Sequence, residues 1–150
     1  MAAREEMSLA SLLGGLALAN AKLGAVHGFA GPLGGIFPIP HGVVCARLLP
    51  FVMEANVRAL QSRAPHDPIL ERYTEVARLV TGTAGTKIAD GVKWVQALCT
   101  DLDVPPLSDY GVSADHIPDI VEKSAHSSSM KGNPISLSTQ ELSAILIQAL

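Results

Sequence analysis

The stretch HGFAGPLGGIFPIPHG, His27 to Gly42, decides how this chain is read. A histidine stands at each end, and glycine and proline crowd the residues between. A helical pattern from about Leu23 to Ile36 is stopped by Pro38 and Pro40. Proline has no N–H to continue a helix, and it pushes the residue before it towards extended geometry. A second helix then opens near His41 and Gly42. Val43, Val44, Ala46, Leu48, Leu49, Val52 and Met53 carry it toward Leu60, and Pro50 is predicted to kink it. The two histidines therefore sit on consecutive helices across a stiff turn.

The glycines around His27 need a reason. Each glycine inside a helix costs about 1 kcal/mol relative to alanine. Gly24, Gly28 and Gly31 lie on neighbouring turns. Close approach of another helix would account for them, and so would room for a ligand beside the backbone.

Outward from this stretch, the recurring signal is helical periodicity with little alternation of period two. A first helix is predicted over Ala3 to Ala21. Further along, Asp67 is a good N-cap with Pro68 behind it, and Gly82 ends a helix whose face carries Ile69, Tyr73, Val76 and Val80. Thr86 is placed to cap the next helix, marked by Ile88, Val92, Val95, Cys99 and Leu102 as far as Pro105-Pro106. Ser113 opens another, with Ile117, Ile120 and Val121. Ser138-Thr139-Gln140-Glu141 has capping-box spacing before Leu142, Ile145, Leu146 and Leu150. The fold class is all-α, a single domain over residues 1–150 built as a bundle of about seven helices.

Composition narrows the function. Hydrophobic residues make up 48% and aromatics only 4%, so the core must be built from Leu, Ile, Val and Ala. Mean hydropathy is +0.30, which suits a helix-rich domain or one whose surface expects a partner. The formal net charge is −3 and no Lys/Arg cluster occurs, so nucleic acid is not an expected partner. Leu23 to Ala46 carries no Asp, Glu, Lys or Arg, but its glycines and prolines exclude a continuous membrane span. Glu5 and Glu6 beside Arg4 argue against a signal peptide. Cys45 and Cys99 sit in apolar, helix-like surroundings, with no pairing motif, which points to a reducing cytoplasmic setting.

Five histidines offer chemistry: His27, His41, His66, His116 and His126. His66 and His126 fall in polar loops, and His116 in the first turn of a predicted helix, where no role is assigned. His27 and His41 could share a metal as two neutral imidazoles, or each could be a core histidine satisfied by one hydrogen bond. No strand-linked glycine-rich loop, no nucleophile elbow and no zinc-spaced cysteines are present.

The residues Gly24-x-x-His27-x-x-Ala30-x-x-x-Gly34 and Pro40-His41-Gly42 resemble the signature of the iron-containing (group III) alcohol dehydrogenases, G-x-x-H-x-x-A-H-x-x-G-x-x-x-x-x-P-H-G. Only the second histidine of that signature is unmatched, and Gly31 occupies its place. Lys131-Gly132-Asn133-Pro134, followed by Leu137 to Leu142, is similar to the family's Asn-Pro loop and last capped helix. The resemblance covers about Ala3 to Leu150.

The resemblance implies the all-helical, dehydroquinate synthase-like C-terminal domain of that family. It implies that His27 and His41 are metal ligands for Fe²⁺ or Zn²⁺, completed in the family by an Asp and a His from upstream. NAD(P) would be bound only by a nucleotide-binding domain that the 150 residues do not include. The substrate would be a small alcohol or carbonyl compound, and no catalytic or cofactor-binding residue is assigned beyond the two ligands. The isolated chain is then expected to be inactive. A homo-oligomer or a separate nucleotide-binding polypeptide would be its partner. The rival expectation is a non-catalytic helical module for oligomerisation or protein interaction.

Overall fold

Proline and cap placement set the order of elements in the computed structural model, which describes all 150 residues. The helices are α1 (Ala2–Asn20), α2 (Ala25–Ile36), α3 (His41–Arg63), α4 (Ile69–Thr81), α5 (Ile88–Asp101), α6 (Ile117–Ala125) and α7 (Thr139–Ala149). Three short 3-10 turns complete the secondary structure, and there is no strand. The all-α reading with seven helices holds.

Phe37 to Pro40 separates α2 from α3 as expected, and α3 then runs unbroken through a buried Pro50. Gly82 adopts the left-handed conformation at φ +67° and ends α4. Ser138 and Glu141 close the capping box: Ser138 N–H donates to Glu141 Oε2 at 2.7 Å, and Glu141 N–H to Ser138 Oγ at 3.2 Å. Asp67 accepts from Ile69 N–H at 2.9 Å, although the regular helix begins only at Ile69.

Two caps differ from expectation. Thr86 turns inward and bonds Thr81 Oγ1 at 2.8 Å, while Asp90 accepts from Lys87 N–H at the start of α5. His116 does have a role: its Nδ1 accepts from Ser113 N–H at 3.0 Å, so the imidazole caps the turn that leads into α6. Val76, expected on the buried face of α4, is exposed, and Ala77 is buried instead.

The main core lies where α2, α3, α6 and α7 meet. Phe29, Leu33, Leu48, Ile120, Ile145 and Leu146 are fully buried there. Each such side chain contributes about 1.5–3 kcal/mol through loss of water contact. α4 and α5 pair as a hairpin against α3. Their closest approach depends on Gly91, where a Cβ would sit 2.6 Å from that of Ala77. The three ion pairs, Arg58–Glu54, Arg63–Glu141 and Lys123–Asp119, are exposed and add little. α1 buries none of its residues, and Leu12, Leu13 and Leu16 lie on its surface.

A polar interlock fixes where α2 begins. Asn133 Oδ1 accepts from Ala25 N–H at 3.0 Å and from Asn56 Nδ2 at 3.2 Å. Asn133 Nδ2 donates to Asn56 Oδ1 at 2.6 Å and to Ile135 O at 2.8 Å. Asn56, on α3, is 3% exposed and also donates to Tyr73 Oη of α4 at 3.3 Å. One carboxamide thereby joins the α2 N-terminus, α3 and the loop before α7.

Two of the three glycines around His27, Gly24 and Gly28, are explained by this approach. A Cβ on Gly24 would meet Asn133 Oδ1 at 3.1 Å, and one on Gly28 would strike Met130 Cε at 2.7 Å. Gly132 has no room either, with Lys22 Cβ 2.6 Å from the position of a Cβ. The neighbouring element is the short 3-10 turn Ser128–Gly132 and its exit, not another long helix.

Asn133→Ala leaves the buried Asn56 amide and the Ala25 N–H without their partner. Loss of about 1–3 kcal/mol of unfolding free energy is expected in urea titration. An unchanged midpoint and slope would show that the interlock does not hold the fold.

Candidate metal centre

His27 and His41 come together because two helix starts converge. Asn133 and Gly24 begin α2 at Ala25, so His27 lies in its first turn and not in mid-helix as the sequence suggested. His41 is the first residue of α3, aimed by the extended Pro38-Ile39-Pro40 segment. The imidazole centroids are 5.4 Å apart, with the rings tilted by 51°.

A third side chain joins them. Cys45 lies one helical turn after His41 on α3, the spacing that puts two side chains on the same face. Its Sγ is 3.5 Å from His41 Nε2 and 3.8 Å from His27 Nε2. The three potential donor atoms all lie within 4.8 Å of one another. Sequence reasoning missed Cys45 by weighing its apolar neighbours. The H-x-x-x-C spacing inside a helix was the available signal.

The electrostatics suit neutral donors. Burial holds His27 below its ordinary value of 6.5, and the nearby His41 adds to that effect. Its lone pair therefore remains available at neutral pH. Burial pushes the Cys45 thiol up from its ordinary value. His27 and Cys45 are half-buried and His41 is exposed, so the group is reachable from solvent.

The donor set fits a borderline divalent ion such as Fe²⁺ or Zn²⁺, for which imidazole is a common ligand. It is not a complete shell. No carboxylate joins the cluster, and Asp115 and Glu122 are exposed elsewhere. His66 and His126 are exposed and apart, and His116 packs edge-on against Phe37 at 5.1 Å. Gly31 falls four residues after His27, on the same side of α2, and a Cβ there would meet nothing within 4 Å. A cleft of about 300 Å³ between α3 and α5, lined in part by Glu54, Val57 and Val92, does not include the histidines. The cluster is an open corner, not an enclosed pocket.

Known proteins resemble this chain in both sequence and fold. A sequence model described as "Fe-containing alcohol dehydrogenase family, C-terminal" matches residues 1–150. The chain is 36% identical to the 1,3-propanediol dehydrogenase of Klebsiella pneumoniae over 153 residues, covering 98% of this chain and 37% of that one. It is also 36% identical to the lactaldehyde reductase of Escherichia coli (strain K12), over 88% of this chain and 34% of that one. A solved 1,3-propanediol oxidoreductase superposes with a TM-score of 0.84 at 33% identity, covering 99% of this chain and 38% of the other. The chain thus spans somewhat over a third of the length of the relatives it matches. By sequence and by fold, the 150 residues belong to the iron-containing alcohol dehydrogenase family and correspond to its C-terminal region.

Proposed function

We propose that this chain is the metal-holding helical part of an NAD(P)-dependent alcohol dehydrogenase, with His27 and His41 as two ligands of one divalent ion. The observation that carries the reading is the convergence of those two imidazoles from separate helix starts, in a chain of this family. Iron or zinc, when bound, supplies Lewis-acid polarisation of the alcohol or carbonyl oxygen. The chain's own residues do the rest of the holding. The Asn56–Asn133 interlock fixes the first turn of α2, and Pro38 and Pro40 fix the first turn of α3. His27 presents a neutral nitrogen, and the open position beside Gly31 leaves water access where a further imidazole is absent.

Substrates are proposed as small alcohols and the matching aldehydes or ketones, by likeness to a 1,3-propanediol dehydrogenase and a lactaldehyde reductase. The cofactor would be NAD or NADP, bound by a separate nucleotide-binding unit. With no strand among the 150 residues, they contain no βαβ unit to hold a dinucleotide. The open corner at the histidines also needs another surface to close a substrate pocket and exclude water. A cytoplasmic setting accords with two free cysteines, and no single helix is long and apolar enough to cross a membrane.

The 150-residue chain alone is expected to oxidise no NAD(P)H with aldehydes, whatever metal is added. Joined to the nucleotide-binding part of the propanediol dehydrogenase, it should reduce aldehydes. His27→Ala or His41→Ala should then lower kcat/KM by at least about 100-fold, since Lewis-acid stabilisation is worth several kcal/mol. Activity of the joined protein that survives both substitutions would refute the ligand assignment.

A second reading, a helical interaction module, draws on one observation: α1 leaves Leu9, Leu12, Leu13 and Leu16 exposed. Its occupant in the enzyme reading would be the remainder of the dehydrogenase or a second subunit. Light scattering of the purified chain should show association that Leu12→Lys with Leu16→Lys abolishes. A chain that stays monomeric at high concentration would remove support for self-association through α1.

A further inference from the structure

We propose that Cys45 is a third metal ligand, so that His27, His41 and Cys45 form a His₂Cys site lying wholly within these 150 residues. The proposal rests on the reading of His27 and His41 as ligands and adds to it a sulfur donor. Its ground is geometric. A tetrahedral ion about 2.0–2.1 Å from imidazole nitrogen and about 2.3 Å from thiolate sulfur sets nitrogen and sulfur about 3.6 Å apart. The Cys45 Sγ lies 3.5 Å and 3.8 Å from the two Nε2 atoms. Both distances are close to that value, and all three donor atoms lie within 4.8 Å of one another.

Charge supports the same assignment. His27 and His41 project from the first turns of α2 and α3, where the helix dipoles place partial positive charge. No carboxylate belongs to the cluster, so Cys45 is the one member of it that can become anionic. On binding, its S–H bond breaks and the proton passes to solvent. Thiolate also shifts preference toward zinc over iron(II), since soft sulfur suits zinc and the divalent series already favours it. Three ligands from this chain leave a tetrahedral ion one position for a further donor.

Cobalt(II) tests this directly, because a thiolate ligand adds a near-ultraviolet sulfur-to-cobalt charge-transfer band. The intact chain is titrated with cobalt(II) without oxygen or added thiol. The band is expected, Zn²⁺ should abolish it, and Cys99→Ala should keep it. Cys45→Ser should remove the band and weaken cobalt binding by more than about 100-fold, beyond what loss of an outer-shell partner costs. Circular dichroism should show its helices unchanged. In the unaltered protein, Zn²⁺ should slow alkylation of Cys45 at least about tenfold, a readout that needs no variant. Cobalt binding that His27→Ala abolishes, with no charge-transfer band and no protection of Cys45, would overturn the cysteine and keep the histidine pair. No cobalt or zinc binding by the intact chain would overturn both.

Discussion

The paired carboxamides of Asn56 and Asn133 are the constraint on which the site depends. Buried amides need all their hydrogen-bond partners, and an unmet one costs about 1–3 kcal/mol. Asn133 meets that need by bonding at once to the start of α2, to α3 and to its own loop. The result is a fixed register between the first turn of α2 and the body of α3. His27 is two residues beyond the Ala25 N–H that Asn133 holds, and His41 begins the helix that carries Asn56. A hydrogen-bond network at the start of α2 thus helps set the distance between the imidazoles.

Packing enforces the same register. Gly24 and Gly28 let Asn133 and Met130 lie close against the start of α2, and Gly132 packs on Lys22 and Leu23 just before it, where a methyl group has no room. Beneath them, Phe29 and Leu33 lock the opposite face of α2 into the main core. The strain-free way to satisfy both is a helix that starts at Ala25. The two helix starts can then meet at an open corner, and burial keeps His27 in its neutral form.

Local chemistry in the sequence was enough for the architecture. Proline positions, the Gly82 stop and the Ser138–Glu141 capping box mark helix ends through contacts within a few residues, and each appears in the fold. The Pro38–Pro40 turn put the two histidines on consecutive helices, but spacing left their role open, and the reading of them as paired ligands came from the family signature. What escaped the sequence depends on distant partners. Asn133 bonds residues 77 and 108 positions away, and no local pattern announces that. For the same reason Gly24 and Gly28 could not be assigned to close approach before Asn133 and Met130 were placed against them. Thr86 was misread as a cap because its hydroxyl finds Thr81 across a turn. Cys45 was overlooked because its neighbours are apolar, while its significance lies in the helical spacing from His41 and in the fold that brings up His27.

The central claim is that two helix starts aim His27 and His41 at one metal ion. The most direct measurement is anomalous diffraction from crystals of the chain grown with Zn²⁺, recorded on both sides of the zinc absorption edge. The account predicts one strong anomalous peak about 2.0–2.1 Å from Nε2 of both histidines. Zinc bound elsewhere on the surface, with both imidazoles bare, would contradict it.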